Sequence, residues 1–171
     1  EFGATISYDP NYRASLWTSV QTATQRMREL LPFVDIMKLS DEETTLLTDH
    51  ADPEEAAAFL NAGGISCAAV TLGKRGALVS IRGESIIVPG YPLPAVDTTG
   101  AGDAFWGGFL HRMLALGKRP AELTLSDAAA CANWGNAVAT LCVQKRGAIP
   151  AMPSMEAVLT LMRTHGRFLT E

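Results

Sequence analysis

Strand-length apolar runs alternate along this chain with helix-length apolar stripes. That alternation narrows the fold to a layered α/β domain with a mostly parallel sheet flanked by helices. Residues 4–8 read as a short buried strand, closed by the turn signal Asp9-Pro10-Asn11. Thr18 or Ser19 caps a helix with Val20, Ala23, Met27, Leu30 and Leu31 on one stripe, and Pro32 ends it. Residues 33–39 alternate as a second strand. Ser40 caps a short helix over 41–48, whose first-turn carboxylates suit the positive end of the helix dipole. Asp52-Pro53 is a cap followed by proline at the first helical position, and Gly63-Gly64 is the stop.

The next three runs, 66–72, 77–81 and 85–88, are joined by glycine turns and read as a small antiparallel meander added to the sheet. A proline-rich link over 90–95 leads to a helix with Phe105, Phe109, Met113 and Leu116 on one face and Gly117 as its end. The almost wholly apolar helix over 126–143 belongs in the interior. Ser154 opens a last helix with Met155, Val158, Leu159 and Met162 inside.

Composition excludes several functions. At 47% hydrophobic and 19% charged residues, the 171-residue chain reads as a globular domain rather than a disordered one. The net charge is -4 and the 14 basic residues form no run, which argues against a nucleic-acid face or a membrane-surface helix. The apolar stretch 128–143 is shorter than the roughly 20 residues a bilayer span needs. Cys67, Cys131 and Cys142 lack any paired spacing and read as buried free thiols of a reducing compartment. No signal peptide is visible, so the cytoplasm is the expected location. His50, His111 and His165 are too scattered for a metal site. The opening Glu1-Phe2-Gly3, without Met, reads as the start of a piece cut from something longer.

Chemistry concentrates at Gly100-Ala101-Gly102-Asp103, at the mouth of a helix. Free backbone N–H groups and the helix dipole there favour an anion, commonly a phosphate. An ionised aspartate at the same spot repels one. A site that activates a hydroxyl while steadying a transferring phosphoryl group would use both features. A glycine-rich helix start with Asp103 as an ordinary first-turn acid explains the residues equally well. Other phosphate and nucleophile motifs fail: there is no G-x-x-x-x-G-K-[ST] loop, Phe105 takes the third glycine position of G-x-G-x-x-G, and no G-x-S-x-G elbow occurs.

The nine residues Asp97-Thr98-Thr99-Gly100-Ala101-Gly102-Asp103-Ala104-Phe105 resemble the C-terminal signature of the ribokinase/pfkB family of sugar kinases. Further matches follow in the family's order. Asp9-Pro10-Asn11-Tyr12-Arg13, with Trp17 after it, is similar to the D-x-N-x-R stretch of fructokinase-like and 2-keto-3-deoxygluconate kinase-like members. Ser40-Asp41-Glu42-Glu43 stands where the family has N-x-x-E, with serine replacing the asparagine. Residues 70–76 resemble the nucleotide-side turn, and Asn136 and Gly147 fall in the segments that close the adenine and cation sites.

The resemblance implies a Rossmann-like, ribokinase-type fold and transfer of the ATP γ-phosphoryl group to a primary hydroxyl of a small sugar, such as fructose or 2-keto-3-deoxygluconate. Asp103 would be the general base and touch the substrate. The N–H groups of Gly100, Ala101 and Gly102 would form the anion hole. Asp97 and the Thr99 backbone would help hold a monovalent cation, K⁺, and Glu43 would act on Mg²⁺ through water. Thr71, Gly73, Gly76 and Asn136 would line the nucleotide, and Arg13 would meet a substrate carboxylate or phosphate. Plainer alternatives stay open: a strand-end turn for Asp97, a solvated acid for Glu43, a hairpin turn for the glycines, a bonded backbone carbonyl for Asn136, a surface ion pair for Arg13. Trp17, Trp106 and Trp134 read as core.

The resemblance covers the second half of the family's chain. Residues 1–171 are therefore expected to be the C-terminal, nucleotide-binding half of a sugar kinase domain, an incomplete domain with a sheet edge left uncovered. The sugar-contacting half and its lid would lie elsewhere, a homodimer would form through that lid, and the isolated piece would be inactive. A non-catalytic nucleotide- or sugar-binding module on the same fold is the alternative.

Overall fold

The computed structural model describes residues 3–167. Five strands, β1 (Ser7–Tyr8), β2 (Ile36–Ser40), β3 (Cys67–Thr71), β4 (Ala77–Ile81) and β5 (Glu84–Val88), form one sheet in chain order. β1, β2 and β3 pair in parallel, with Ile36 opposite Cys67 and Ser40 opposite Thr71. β4 and β5 add the expected antiparallel meander.

Both faces of the sheet are covered. The helices α1 (Val20–Arg28), α2 (Thr44–Thr48) and α3 (Pro53–Ala62) bury Met27, Leu47, Ala57 and Leu60 against Met37, Leu39, Ala68 and Val70. On the opposite face, α4 (Ala101–Ala115) and α5 (Leu125–Cys142) bury Phe105, Phe109, Cys131 and Ala132 against Ile36, Cys67, Ala69 and Val79. Alternate residues of β2 and β3 thus enter different cores. For that reason β3 is almost wholly apolar, and β2, apolar from Ile36 to Leu39 except for Lys38, lacks the expected alternation. A last helix, α6 (Met155–Thr164), packs Val158, Leu161 and Met162 on Tyr91, Trp134 and Ala137.

Caps set several boundaries where the sequence places them. Asp52 Oδ1 accepts from the amides of Glu54 and Glu55 at 2.9 and 3.1 Å, and Ser19 Oγ accepts from Thr22 N at 3.0 Å. Ser154 Oγ caps α6 through Ala157 N at 3.3 Å. Trp106 and Trp134 are core residues, and Trp17 packs half-buried against the core beneath α1–α3.

Other expectations shift. β1 is two residues long, with Ser7 exposed and Tyr8 half-buried rather than both buried, because it has a neighbour on one side only. α1 ends at Arg28, and Leu31–Phe33 forms a separate 3₁₀ turn around Pro32, since proline disfavours a helical residue before it. Leu30 consequently lies on the surface, and Val20 and Met155, the first residues of α1 and α6, are exposed as well. The short acidic helix begins at Thr44 rather than residue 41, and Ser40 gives its hydroxyl to Glu43 Oε2 at 2.9 Å instead of capping.

Candidate active site

The link from β5 to α4 is clamped before it reaches the helix. Val96 N and Asp97 N both donate to Val143 O, at 2.7 and 3.1 Å. Asp97 then accepts from Thr99 N at 2.9 Å through Oδ1 and from Gly147 N at 3.1 Å through Oδ2. Hydrogen bonds from the Thr99 side chain and amide and from Gly147 hold the Asp97 carboxyl down at about 2. Gly100 follows with φ +78°, and a Cβ there would sit 2.5 Å from the Ala148 methyl group, so both the backbone conformation and the packing require glycine.

Ala101 N donates back to Thr98 O at 3.1 Å, closing the turn. The amides of Gly102 and Asp103 come next, in the first helical turn, where a helix leaves its N–H groups without intrahelical partners. The Asp103 side chain is exposed on that turn. Behind Gly102 stands Lys38 of β2, its Nζ 3.0 Å from where a Cβ on Gly102 would be. Lys38 is only 5% exposed and pairs with Asp9, Nζ to the two carboxylate oxygens at 3.2 and 3.1 Å. Burial leaves the Asp9 carboxyl raised above its ordinary value, the Lys38 ammonium offsetting only part of that rise.

Beside this helix start lies a cleft of about 280 Å³. Thr71, Gly73, Gly76 and Asn136 line it together with Ala101 and Gly102, so six residues predicted from the sequence converge on one space. Its floor is built from glycine contacts. Gly76 has φ +102°, and a Cβ there would run into the Val88 carbonyl oxygen. A Cβ on Gly90 would lie 2.8 Å from Lys74 O. Asn136 combines the two roles considered for it: it lines the cleft while Nδ2 donates to Val88 O at 2.9 Å and Pro89 O at 3.3 Å.

Asp97, Thr99, Gly100 and Asp103, on the turn beside the cleft, are not among its lining residues, and neither are Arg13 and Glu43. Arg13 is exposed, and its Nη1 donates to Tyr12 O at 2.9 Å. Glu43 is 6% exposed, not a solvated acid. Its Oε1 accepts from Tyr12 N at 2.6 Å, and its Oε2 accepts from Ser40 N and Oγ at 2.8 and 2.9 Å. With both oxygens taken by the chain's own donors, Glu43 does not fit direct coordination of a metal. Among the described residues no group of three or more His, Cys, Asp or Glu side chains could hold a metal ion. Likewise, none of their helices is long and apolar enough to cross a membrane.

Sequence reasoning missed Lys38, Gly90 and Tyr91. A lysine inside the apolar run 36–39 was the available signal for the first, because such a residue is seldom fully buried without a partner.

A chain-order sheet covered on both faces, with a glycine-floored cleft at a Gly-Ala-Gly-Asp helix start, defines a ribokinase-type α/β domain. Residues 1–155 match the family model described as pfkB family carbohydrate kinase, and the chain belongs to that family. It is 36% identical over 170 residues to probable fructokinase-5 of Arabidopsis thaliana, covering 96% of this chain and 51% of that protein. Fructokinase-1 of Oryza sativa subsp. japonica is 36% identical over 169 residues, covering 96% and 50%. Among solved structures, fructokinase from Vibrio cholerae O395 in its fructose, ADP and calcium ion bound form superposes with a TM-score of 0.83 at 31% identity, over 92% of this chain and 50% of that one. Fructokinase from Xylella fastidiosa with bound ATP gives 0.83 at 28% identity, over 96% and 53%. The chain thus spans about half the length of these relatives.

Proposed function

We propose that residues 1–171 are the C-terminal, nucleotide-side half of an ATP-dependent sugar kinase that phosphorylates a primary hydroxyl of a small sugar, fructose before 2-keto-3-deoxygluconate. The observation that carries this reading is the convergence of Thr71, Gly73, Gly76 and Asn136 with the Ala101–Gly102 edge on one cleft. At Gly76 and Gly90 a Cβ would collide with the chain's own backbone, so the two glycines let residues 88–90 pack closely on the 73–76 turn and shape the cleft wall that would receive a nucleotide. The fructokinases with fructose, ADP or ATP bound support the same assignment.

Bound ATP supplies the γ-phosphoryl group. Asp103, exposed on the first turn of α4, takes the proton of the sugar hydroxyl as that oxygen bonds to phosphorus. The Gly100–Gly102 edge donates N–H groups to the developing charge, chiefly Gly102 because Ala101 N is returned to Thr98, and the Lys38 ammonium adds positive potential behind it. Asp97, half-buried where Glu43 is buried, would hold K⁺ with the Thr99 backbone through the lone pairs left by its bonds to Thr99 N and Gly147 N, and the Gly147 bond keeps the loop in place. Arg13 reaches a sugar carboxylate or a phosphate once its Tyr12 carbonyl bond opens. Mg²⁺ accompanies ATP, and Glu43 reaches it only through water, because its oxygens are engaged. The full-length protein works in the cytoplasm, with the sugar half, the lid and a homodimer contact supplied by the remainder.

The engaged Glu43 favours a second reading, a nucleotide-binding module without turnover. ADP release by the full-length protein with Mg²⁺ and K⁺, against a panel of sugars, separates the two. A sugar-dependent signal is the expected result. Silence across the panel with ATP binding intact selects the module.

A further inference from the structure

Val88, Pro89 and Gly90 leave the sheet at the end of β5 and form a strap along the cleft, with Gly90 and Tyr91 in its lining. Past Val88, the last residue of β5, the Pro89 and Gly90 carbonyls lie outside the ladder and need other donors. Two side chains from distant elements supply them. Asn136 of α5 serves Val88 O and Pro89 O. Arg167 Nη1 serves Pro89 O at 2.7 Å and Gly90 O at 3.1 Å.

Local structure aims Arg167 at the strap. α6 ends with Gly166 at φ +63°, Gly166 N donating to Arg163 O at 3.0 Å and Arg167 N to Met162 O at 2.9 Å. That is the bonding pattern of a Schellman motif, which reverses the chain and satisfies the last carbonyls. The Arg167 guanidinium carbon then lies 4.6 Å from the centroid of the Tyr91 ring. Tyr91 OH donates to Asn133 Oδ1 at 3.0 Å, and Asn133 Nδ2 donates to Arg167 O at 3.0 Å. Strap, α5 and the end of α6 form one closed network.

We infer that Arg167 is a positioning residue for nucleotide binding: it holds the 89–91 strap against the Gly73–Gly76 turn and so fixes the width of the cleft. The inference rests on the nucleotide reading of that cleft. Arg167 lines neither the cleft nor the Asp103 turn, so its removal weakens nucleotide affinity and leaves the chemical step unchanged. Two charge-assisted hydrogen bonds are at stake, which sets the expected loss at about tenfold or more.

The test is MgADP binding by calorimetry, with KM for MgATP and kcat alongside, for the full-length protein and its Arg167→Ala and Arg167→Lys variants. Arg167→Ala should raise Kd and KM by about tenfold with kcat unchanged. Arg167→Lys, which keeps a cation over Tyr91 but loses the fork, should fall between. If Arg167→Ala does not fold, weaker binding by Arg167→Lys at unchanged kcat carries the result. Wild-type affinity in the folded variants, or a loss confined to kcat, overturns the inference while leaving the nucleotide cleft in place. Failure of the wild type to bind MgADP overturns the nucleotide reading and the inference with it.

Discussion

Asp97 and Gly147 are joined by a 3.1 Å hydrogen bond across 50 residues of chain, and that bond ties the loop entering α4 to the loop leaving α5. The carboxyl that accepts it sits at about 2 instead of its ordinary 3.8. A depressed carboxyl stabilises the fold fully above its ordinary value and loses that contribution as pH falls through the folded value. Thermal melts of wild type and Asp97→Asn should therefore differ at pH 5 and converge as pH drops from about 4 to about 2. In the full-length protein, Asp97→Ala should also abolish stimulation by K⁺. A K⁺ response identical to wild type would remove Asp97 from the cation site.

Gly76→Ala places a methyl group against the Val88 carbonyl at a φ of +102°. The strained backbone alone costs about 1–3 kcal/mol, and relieving the collision moves the strap that lines the cleft. Urea unfolding should show at least that loss, with MgADP affinity reduced. Gly83→Ala, also at positive φ but facing open space, should destabilise by strain and leave affinity unchanged.

Lys38 and Asp9 form a pair with side chains 6% and 16% exposed. Lys38→Met strands the Asp9 carboxylate without its partner, a loss of about 3–5 kcal/mol for a buried pair. The double variant with Asp9→Asn should recover a large part of that stability in urea titrations. No recovery would mean that Lys38 acts through packing rather than charge.

Local chemistry explains which parts of this molecule were legible. The Asp52-Pro53 helix start, the glycine-linked meander and the Gly100–Asp103 turn are each decided within a few neighbouring residues, and the structure contains all three. Glu43 was harder because its burial depends on Tyr12 N, 31 residues away, which is invisible to local pattern. Ala101 showed an available N–H in the sequence, but the Gly100 turn returns it to Thr98. Arg167 carried no signal, since its partners lie 77 and 78 residues back on the strap. The Lys38–Asp9 pair hid likewise in the meeting of β2 with the end of β1, which only the parallel register creates.

The central claim is that Asp103 moves a proton beside a nucleotide bound in the neighbouring cleft. Its most direct test is Asp103→Asn in the full-length protein, measuring ADP release with sugar and MgATP binding on the same preparation. The account predicts turnover lowered by about 10²–10⁴-fold, as for loss of a general base, with MgATP affinity retained. Near-normal turnover in that variant would contradict it.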